Sequence, residues 1–409
     1  MKDSSCLILK FLLLGLIGLY ALIGTDNTIA DNQELDIRGN VAFQLRGFTQ
    51  DALWADQNSS DVESSISGEW EVRWRSEDNS QRVSFIPFAR WDENDDKRSH
   101  FDLREAYWAY KNGEIELLFG VNRIFWGVTE SVHLVDVINQ TDLVEDLDQE
   151  DKLGQPMISL ALQKDWGLLS FYLLPYFRER SFPGVNGRLR AASPVDADNA
   201  KYESGNKRKH LDFALRYSHY FGDIDLGLHY FNGTNRDPRL GVGANNSDVV
   251  LNYDQIEQIG LDLQYTRGSW LWKLESFVRD GYEESFFASI AGFEYTFYQV
   301  FEGAGDVGVL LEYQYDNRSS YEAATSADND VFIGARWVLN NMQDGSILAG
   351  VVVDNKTSEA FYSIEAESRL KEDVVLELQV RLIAHSEPGE SFHPFSRDNY
   401  IQLQINRFF

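Results

Sequence analysis

The sequence predicts an all-β protein, a transmembrane antiparallel up-and-down β-barrel of about 18 strands (16–18), with long extracellular loops and short periplasmic turns. Three observations predict it. Apolar and polar residues alternate with period two along most of the chain. The connections between the alternating segments are long and short in turn. The last segment is amphipathic and ends in an aromatic residue, Phe409.

Composition narrows the class first. The chain has 409 residues with 37 Lys+Arg against 65 Asp+Glu, a formal net charge of −28. Phosphate binding needs a basic surface, so this balance argues against a nucleic-acid partner. Hydrophobic residues at 43% and charged residues at 25% argue against full disorder. A mean hydropathy of −0.36 excludes a bundle of membrane helices. It does not exclude a membrane barrel, in which only alternate residues face lipid.

Residues 1–30 read as a signal peptide. Lys2 and Lys10 precede an apolar run at 11–23, and Thr28-Ile29-Ala30 supplies a small-x-small cleavage site. The run is shorter than the ~20 residues a membrane helix needs. The single cysteine, Cys6, lies within this segment, so a mature chain has neither disulfides nor thiolate chemistry. Residues 31–409 then form one barrel domain, with too little chain before its first strand for an N-terminal plug.

Strands are expected near 35–48, 66–76, 81–91, 101–110, 114–121, 156–164, 167–176, 211–221, 223–232, 257–266, 269–279, 289–299, 305–316, 331–339, 345–353, 358–369, 372–383 and 398–409. The alternation is plain at Leu211/Phe213/Leu215/Tyr217 and Ile224/Leu226/Leu228/Tyr230. It recurs at Ile259/Leu261/Leu263/Tyr265, Val307/Val309/Leu311/Tyr313/Tyr315 and Val374/Leu376/Leu378/Val380/Leu382. Tight turns fall at Asn112-Gly113, Gly222-Asp223, Arg267-Gly268, Asp344-Gly345 and Lys371. Long connections fall at 49–65, 122–155, 177–210, 233–256, 317–330 and 384–397. A compact soluble domain rarely carries such loops. An even strand number places every long loop on one side. In the final strand Ile401, Leu403, Ile405 and Phe409 share one face, interrupted by Arg407. Such an ending resembles the signature read by the barrel-insertion machinery of bacterial outer membranes. Trp70, Trp74, Trp91, Trp270, Trp272, Tyr230, Tyr265 and Tyr315 sit near the ends of apolar faces, where interfacial girdles form.

In this phase the inner wall is charged, with Arg46, Arg73, Arg75, Arg216, Glu312 and Arg381 among its residues. A barrel of this width encloses water. Segment 122–155 holds eight acids and two bases, whereas segment 177–210 holds eight bases and four acids. The two are expected to face one another across a constriction lined by Arg123, Asp136, Asp142, Glu145, Asp146, Arg178, Arg180, Arg188 and Arg190. The acidic run from Asp142 to Asp151 supplies clustered oxygens but lacks the glycine of an EF-hand loop. Loose cation bridging to lipopolysaccharide suits it better than a specific metal site, and no cofactor is expected.

The block Gly120-Val121-Asn122-Arg123-Ile124-Phe125-Trp126-Gly127, followed by Asp136-Val137-Ile138-Asn139-Gln140-Thr141-Asp142, resembles a segment of a porin-like family of Gram-negative outer membranes. The family pattern reads G-R-x-x-x-x-W-G and then D-x-(I/V)-N-P-x-D. Here Arg123 stands at a different spacing and Gln140 replaces the proline. The resemblance covers about 25 residues and points to Arg123, Trp126, Asp136, Asn139 and Asp142. It implies an outer-membrane location, lipid and lipopolysaccharide contacts, and passive passage of small hydrophilic solutes or ions. A homo-oligomer is the usual state of such proteins. The alternatives are a scaffold barrel sheathing a partner protein, and an outer-membrane hydrolase. The seven histidines, among them His219, His229, His385 and His393, show no triad spacing, so the sequence favours a non-enzyme.

Overall fold

The computed structural model describes residues 34–242, 249–300 and 304–409. The expected signal peptide and Cys6 lie outside the described residues. In chain order the strands are β1 (Glu34–Phe48), β2 (Val62–Arg75), β3 (Gln81–Asp92), β4 (His100–Asn112), β5 (Ile115–Asn122), β6 (Gln155–Lys164), β7 (Gly167–Leu174), β8 (Val195–Tyr202), β9 (Asp212–Phe221), β10 (Ile224–Thr234) and β11 (Arg239–Val242). They continue as β12 (Val249–Tyr253), β13 (Gln255–Arg267), β14 (Trp270–Asp280), β15 (Ser285–Phe297), β16 (Asp306–Asp316), β17 (Asn329–Val338), β18 (Ser346–Asp354), β19 (Ala360–Lys371), β20 (Val374–Ala384) and β21 (Tyr400–Phe408).

Eighteen of these form one sheet in which each strand pairs antiparallel with its neighbours, and β1 pairs with both β2 and β21. The sheet is closed. Hydrocarbon offers no hydrogen-bond partners, so closure is the only way a sheet can satisfy its backbone in a membrane. All eighteen expected strands are present.

Polarity is inverted relative to a soluble barrel. Outward positions carry large apolar side chains such as Phe43, Leu45, Ile259, Ile333 and Leu403, all exposed on the outer surface. Inward positions carry Arg46, Arg90, Asp262, Glu275, Glu312 and Arg381, all buried. The aromatic residues expected at the girdles lie on outward positions, and Trp270 stacks on Trp272 with ring centroids 5.4 Å apart. Arg407, which breaks the apolar phase of β21, forms an ion pair with Asp373 in the β19–β20 turn at 2.5 Å. Its charge reaches the polar rim rather than lipid.

Three strands lie outside the barrel and were missed by the period-two pattern. β8, β11 and β12 form a small sheet, with β8 and β12 parallel. It joins the 175–211 and 235–254 connections over Phe177, Leu251 and Tyr253.

One irregularity positions the site. In the β3–β4 ladder the pairing passes from Ile86↔Glu105 to Pro87↔Leu103, leaving Arg104 unpaired. Proline cannot donate to the ladder, and a bulge is where a sheet tolerates it. The extra residue turns Arg104 inward beside Asp102.

Candidate functional site

The connection 123–154, called the inner loop below, enters the barrel and bonds to its inner wall on nearly opposite sides. Its first limb leaves β5 at Gly120, whose φ of +141° and close backbone neighbours exclude a side chain: a Cβ there would lie 2.2 Å from the Ala106 carbonyl oxygen. Asn139 joins the limbs. Its amide oxygen accepts the Ile124 N–H at 2.9 Å, and its NH₂ donates to the carbonyls of Asn122 at 3.0 Å and Leu153 at 2.8 Å. Asp136 accepts from Trp126 N–H and lies 3.3 Å from Lys152. The family-like residues therefore shape the loop itself.

One side of the loop is apolar. Trp126, Val135, Val137 and Ile138 pack on Leu118, Met157, Tyr172, Ala214, Phe231 and Ile256 of the wall. This fills the lumen beside β5–β13. Arg216, paired twice with Asp262 at 2.8 Å, lies over the Trp126 ring.

The other side is polar. Glu275 accepts the N–H groups of Val128 and Thr129 at 2.7 and 2.9 Å and the Thr129 hydroxyl at 2.7 Å. Glu312 accepts the N–H groups of Glu130 and Ser131 at 2.7 and 2.9 Å and the Ser131 hydroxyl at 2.6 Å. Glu130 in turn pairs with Arg336 at 2.6 Å and Lys273 at 3.4 Å.

The acidic tip meets a basic wall. Asp142 lies 2.8 Å from Arg104 and 3.3 Å from His100. Glu145 pairs with Arg90 at 2.6 Å. Asp146 accepts the Tyr400 hydroxyl at 3.0 Å and lies 3.2 Å from Arg381, which also binds Asp148 at 2.8 Å and Glu365 at 2.6 Å. Burial disfavours these charges, but the His100 hydrogen bond and Arg104 hold the Asp142 carboxyl well below its ordinary range, and Arg90 and Arg98 lower Glu145. Burial also opposes a charged His133. The carboxylates of Glu150 and Glu275, 3.2 and 3.7 Å away, outweigh it and push the imidazole up to about 10.

The arginines of the 175–211 connection pair elsewhere than expected. Arg178 binds Asp102 at 2.7 Å, Arg180 binds Asp237 at 2.6 Å, and Arg188 binds Asp398 at 2.9 Å. Arg190 donates to the carbonyls of Val185 and Ala191. The two loops do touch, through Ser181 donating to Asp142 and Arg180 to Gln140. Their opposite charges do not pair with one another, because the barrel wall and the neighbouring connections supply nearer partners for both. Asp142, Glu145, Asp146, Arg188 and Arg190 are buried, whereas Arg123 is half-buried at the loop base with its charge beside Glu69.

Of the wall residues, Arg46 donates to Gln402 at 2.9 Å and stacks over Tyr400, while Arg73 pairs with Glu71 and Arg75 lies 3.8 Å from Glu34 near the turn-side end. The acidic run does not gather around one cation: Asp142 and Glu145 meet at His100, where Arg90 and Arg104 already supply positive charge.

Open space remains between the inner loop and β14–β20. Three cavities of about 170, 370 and 450 Å³ follow one another there. The first two share Val132, His133 and Asp148, and the last two share Glu130, Leu348 and Glu365. Sequence reasoning missed Glu130 and Glu150 as the acids that border this space. Their signal was present, since both lie in the acidic loop, but their exposure depends on the path the loop takes.

No protein-family model matches the chain, and no curated protein matches it. Among solved structures, a mutant of the Rh. blastica porin is similar over 92% of this chain and 100% of its own, at 13% identity and a TM-score of 0.44. OmpT, an outer membrane protein of Vibrio cholerae in a trimer form, is similar over 93% of this chain and 100% of its own, at 10% identity and a TM-score of 0.45.

The closed 18-strand sheet, its apolar outer belt and its charged interior define the class: this is a transmembrane up-and-down β-barrel.

Proposed function

We propose that the protein is a channel for passive diffusion of small hydrophilic solutes or ions, with its narrowest part between the inner loop and β16–β20. The observation that carries this reading is the chain of cavities along that side, bordered by side chains of both the loop and the wall. A loop held on two sides of the lumen narrows the barrel without filling it.

The charges bordering the space set its preference. Around the two larger cavities Glu130, Asp148, Glu150, Glu365, Glu367 and Glu377 face it against Arg336, Arg381 and His133, whereas the smallest is also bordered by Asp136 and Asp237 and by Lys152, Arg180, Arg236, Arg279 and Arg318. Charged groups along a pore act on permeating ions at close range. The channel prefers cations. The buried candidates Asp142, Glu145, Asp146, Arg188 and Arg190 serve this reading by fixing the loops, Arg178 ties the basic loop to the wall, and Arg180 ties it to the 235–254 connection and the inner loop.

Planar-bilayer recording of the purified, folded protein tests it. Stable conductance steps are expected, with a zero-current potential in a KCl gradient displaced toward the potassium equilibrium value. Absence of conductance from folded, inserted protein overturns the channel reading. An anion-selective channel overturns the placement of the constriction.

A further inference from the structure

The inner wall is polar or covered by the inner loop over most of its circumference, with one exception. On β17–β19 the inward positions Phe332, Leu348, Val352 and Phe361 border the 370 Å³ cavity, and Phe392 of the 385–399 connection stacks on Phe361 at 5.1 Å and 15°. The Phe332 ring lies against the sheet over two glycines. A Cβ at Gly350 would fall 2.4 Å from that ring, and one at Gly334 would fall 2.7 Å from it. The wall is thus built to keep an aromatic surface flat beside the open space.

The edges of the same cavity are acidic. Glu130, Asp148, Glu150 and Glu365 border it against His133 and Arg381, and Arg381 is shared among Asp146, Asp148 and Glu365. Gln314, also on its border, donates to Ser131 but has a buried amide oxygen with no hydrogen-bond partner among the described residues. That oxygen is an acceptor in want of an N–H donor.

An apolar strip loses little to a fully hydrated ion, yet it favours a solute with an apolar face of its own. Acidic edges and an unused acceptor favour a protonated amine on that solute. We infer that this cavity is a selectivity site for small amphipathic cations, solutes carrying one ammonium group and one aromatic or alicyclic face. The inference rests on the channel reading above and deepens it.

Three probes separate the contributions in bilayer recordings of the full barrel: benzylammonium, methylammonium and benzoate. Benzylammonium is expected to reduce potassium current at concentrations about tenfold lower than methylammonium does, a difference of about 1.4 kcal/mol. Benzoate is expected to have no effect at those concentrations. The variants F361S and F392S, tested separately because one lies on a strand and the other on a loop, should each shrink the tenfold preference below about threefold. Equal action of benzylammonium and methylammonium in a conducting channel overturns this inference and spares the channel. Equal action of benzylammonium and benzoate does the same, because the acidic edges would then play no part. Absence of any potassium conductance overturns the channel reading itself.

Discussion

Glu275 of β14 and Thr129 of the inner loop, 146 positions apart in sequence, meet through two hydrogen bonds to one carboxylate oxygen. The same oxygen also accepts from Val128. Hydrogen bonds to a buried charge contribute about 1.5–3 kcal/mol each. Replacing Glu275 with Ala leaves these donors unpaired and frees Val128 and Thr129, while Glu312 still holds Glu130 and Ser131. The expected result is a channel with larger and noisier conductance steps. Steps identical to wild type would mean that the loop is held without this anchor.

Arg381 is the only base that reaches Asp146, Asp148 and Glu365 among the described ion pairs. Removing one partner of a buried pair costs about 3–5 kcal/mol because the remaining charge is stranded. The R381A barrel should resist urea less than wild type does. Its zero-current potential should move further toward potassium equilibrium, since the passage loses a positive charge. A shift in the opposite direction would place Arg381 away from the conducting path.

Buried and open acids of the inner loop should respond differently to substitution. Glu150 keeps half of its side-chain surface exposed, while Asp142 is fully buried. Reversing charge by E150K is expected to reduce cation preference with little change in stability. D142N should lower stability and change selectivity less. The two effects are separable by recording reversal potentials alongside urea unfolding.

His133 gives the loop an alkaline limit. Its pKa lies above the ordinary 6.5, at about 10, so the interaction contributes fully below 6.5 and is lost as pH rises through 10. Conductance noise should rise between about pH 9 and 10.5, and H133Q should abolish that step. The depressed carboxyls act in the opposite sense. Asp142 and Glu145 contribute above their ordinary values of 3.8 and 4.5 and lose that contribution as pH falls below them. The loop should therefore stay anchored at pH 5 and loosen only on acidification well below the ordinary carboxylate range, as read by the same noise measurement.

Much of the barrel was legible because each strand borders two solvents, and that contrast is written residue by residue. Leu211 through Tyr217 and Val374 through Leu382 show it without help from distant contacts. The small sheet was not legible. Val195–Tyr202 carries no alternating apolar face, and its parallel pairing with Val249–Tyr253 joins two different connections. The charge of the inner loop was also legible, but its partners were not. Arg104 faces Asp142 only because a bulge at Pro87 shifts the phase of β4, and Arg381 arrives from the far end of the chain. Local sequence states that a loop is acidic; only the closed ladder decides which base it finds.

The seam between β1 and β21 orders the birth of the molecule. Gly39 and Phe409 exchange two main-chain hydrogen bonds there, at 3.1 and 3.0 Å. The earliest strand thus waits for the latest one, with sixteen others of the barrel in the interval. Oil cannot soothe the margin of β1. Its N–H and C=O groups find their partners only when β21 takes the place.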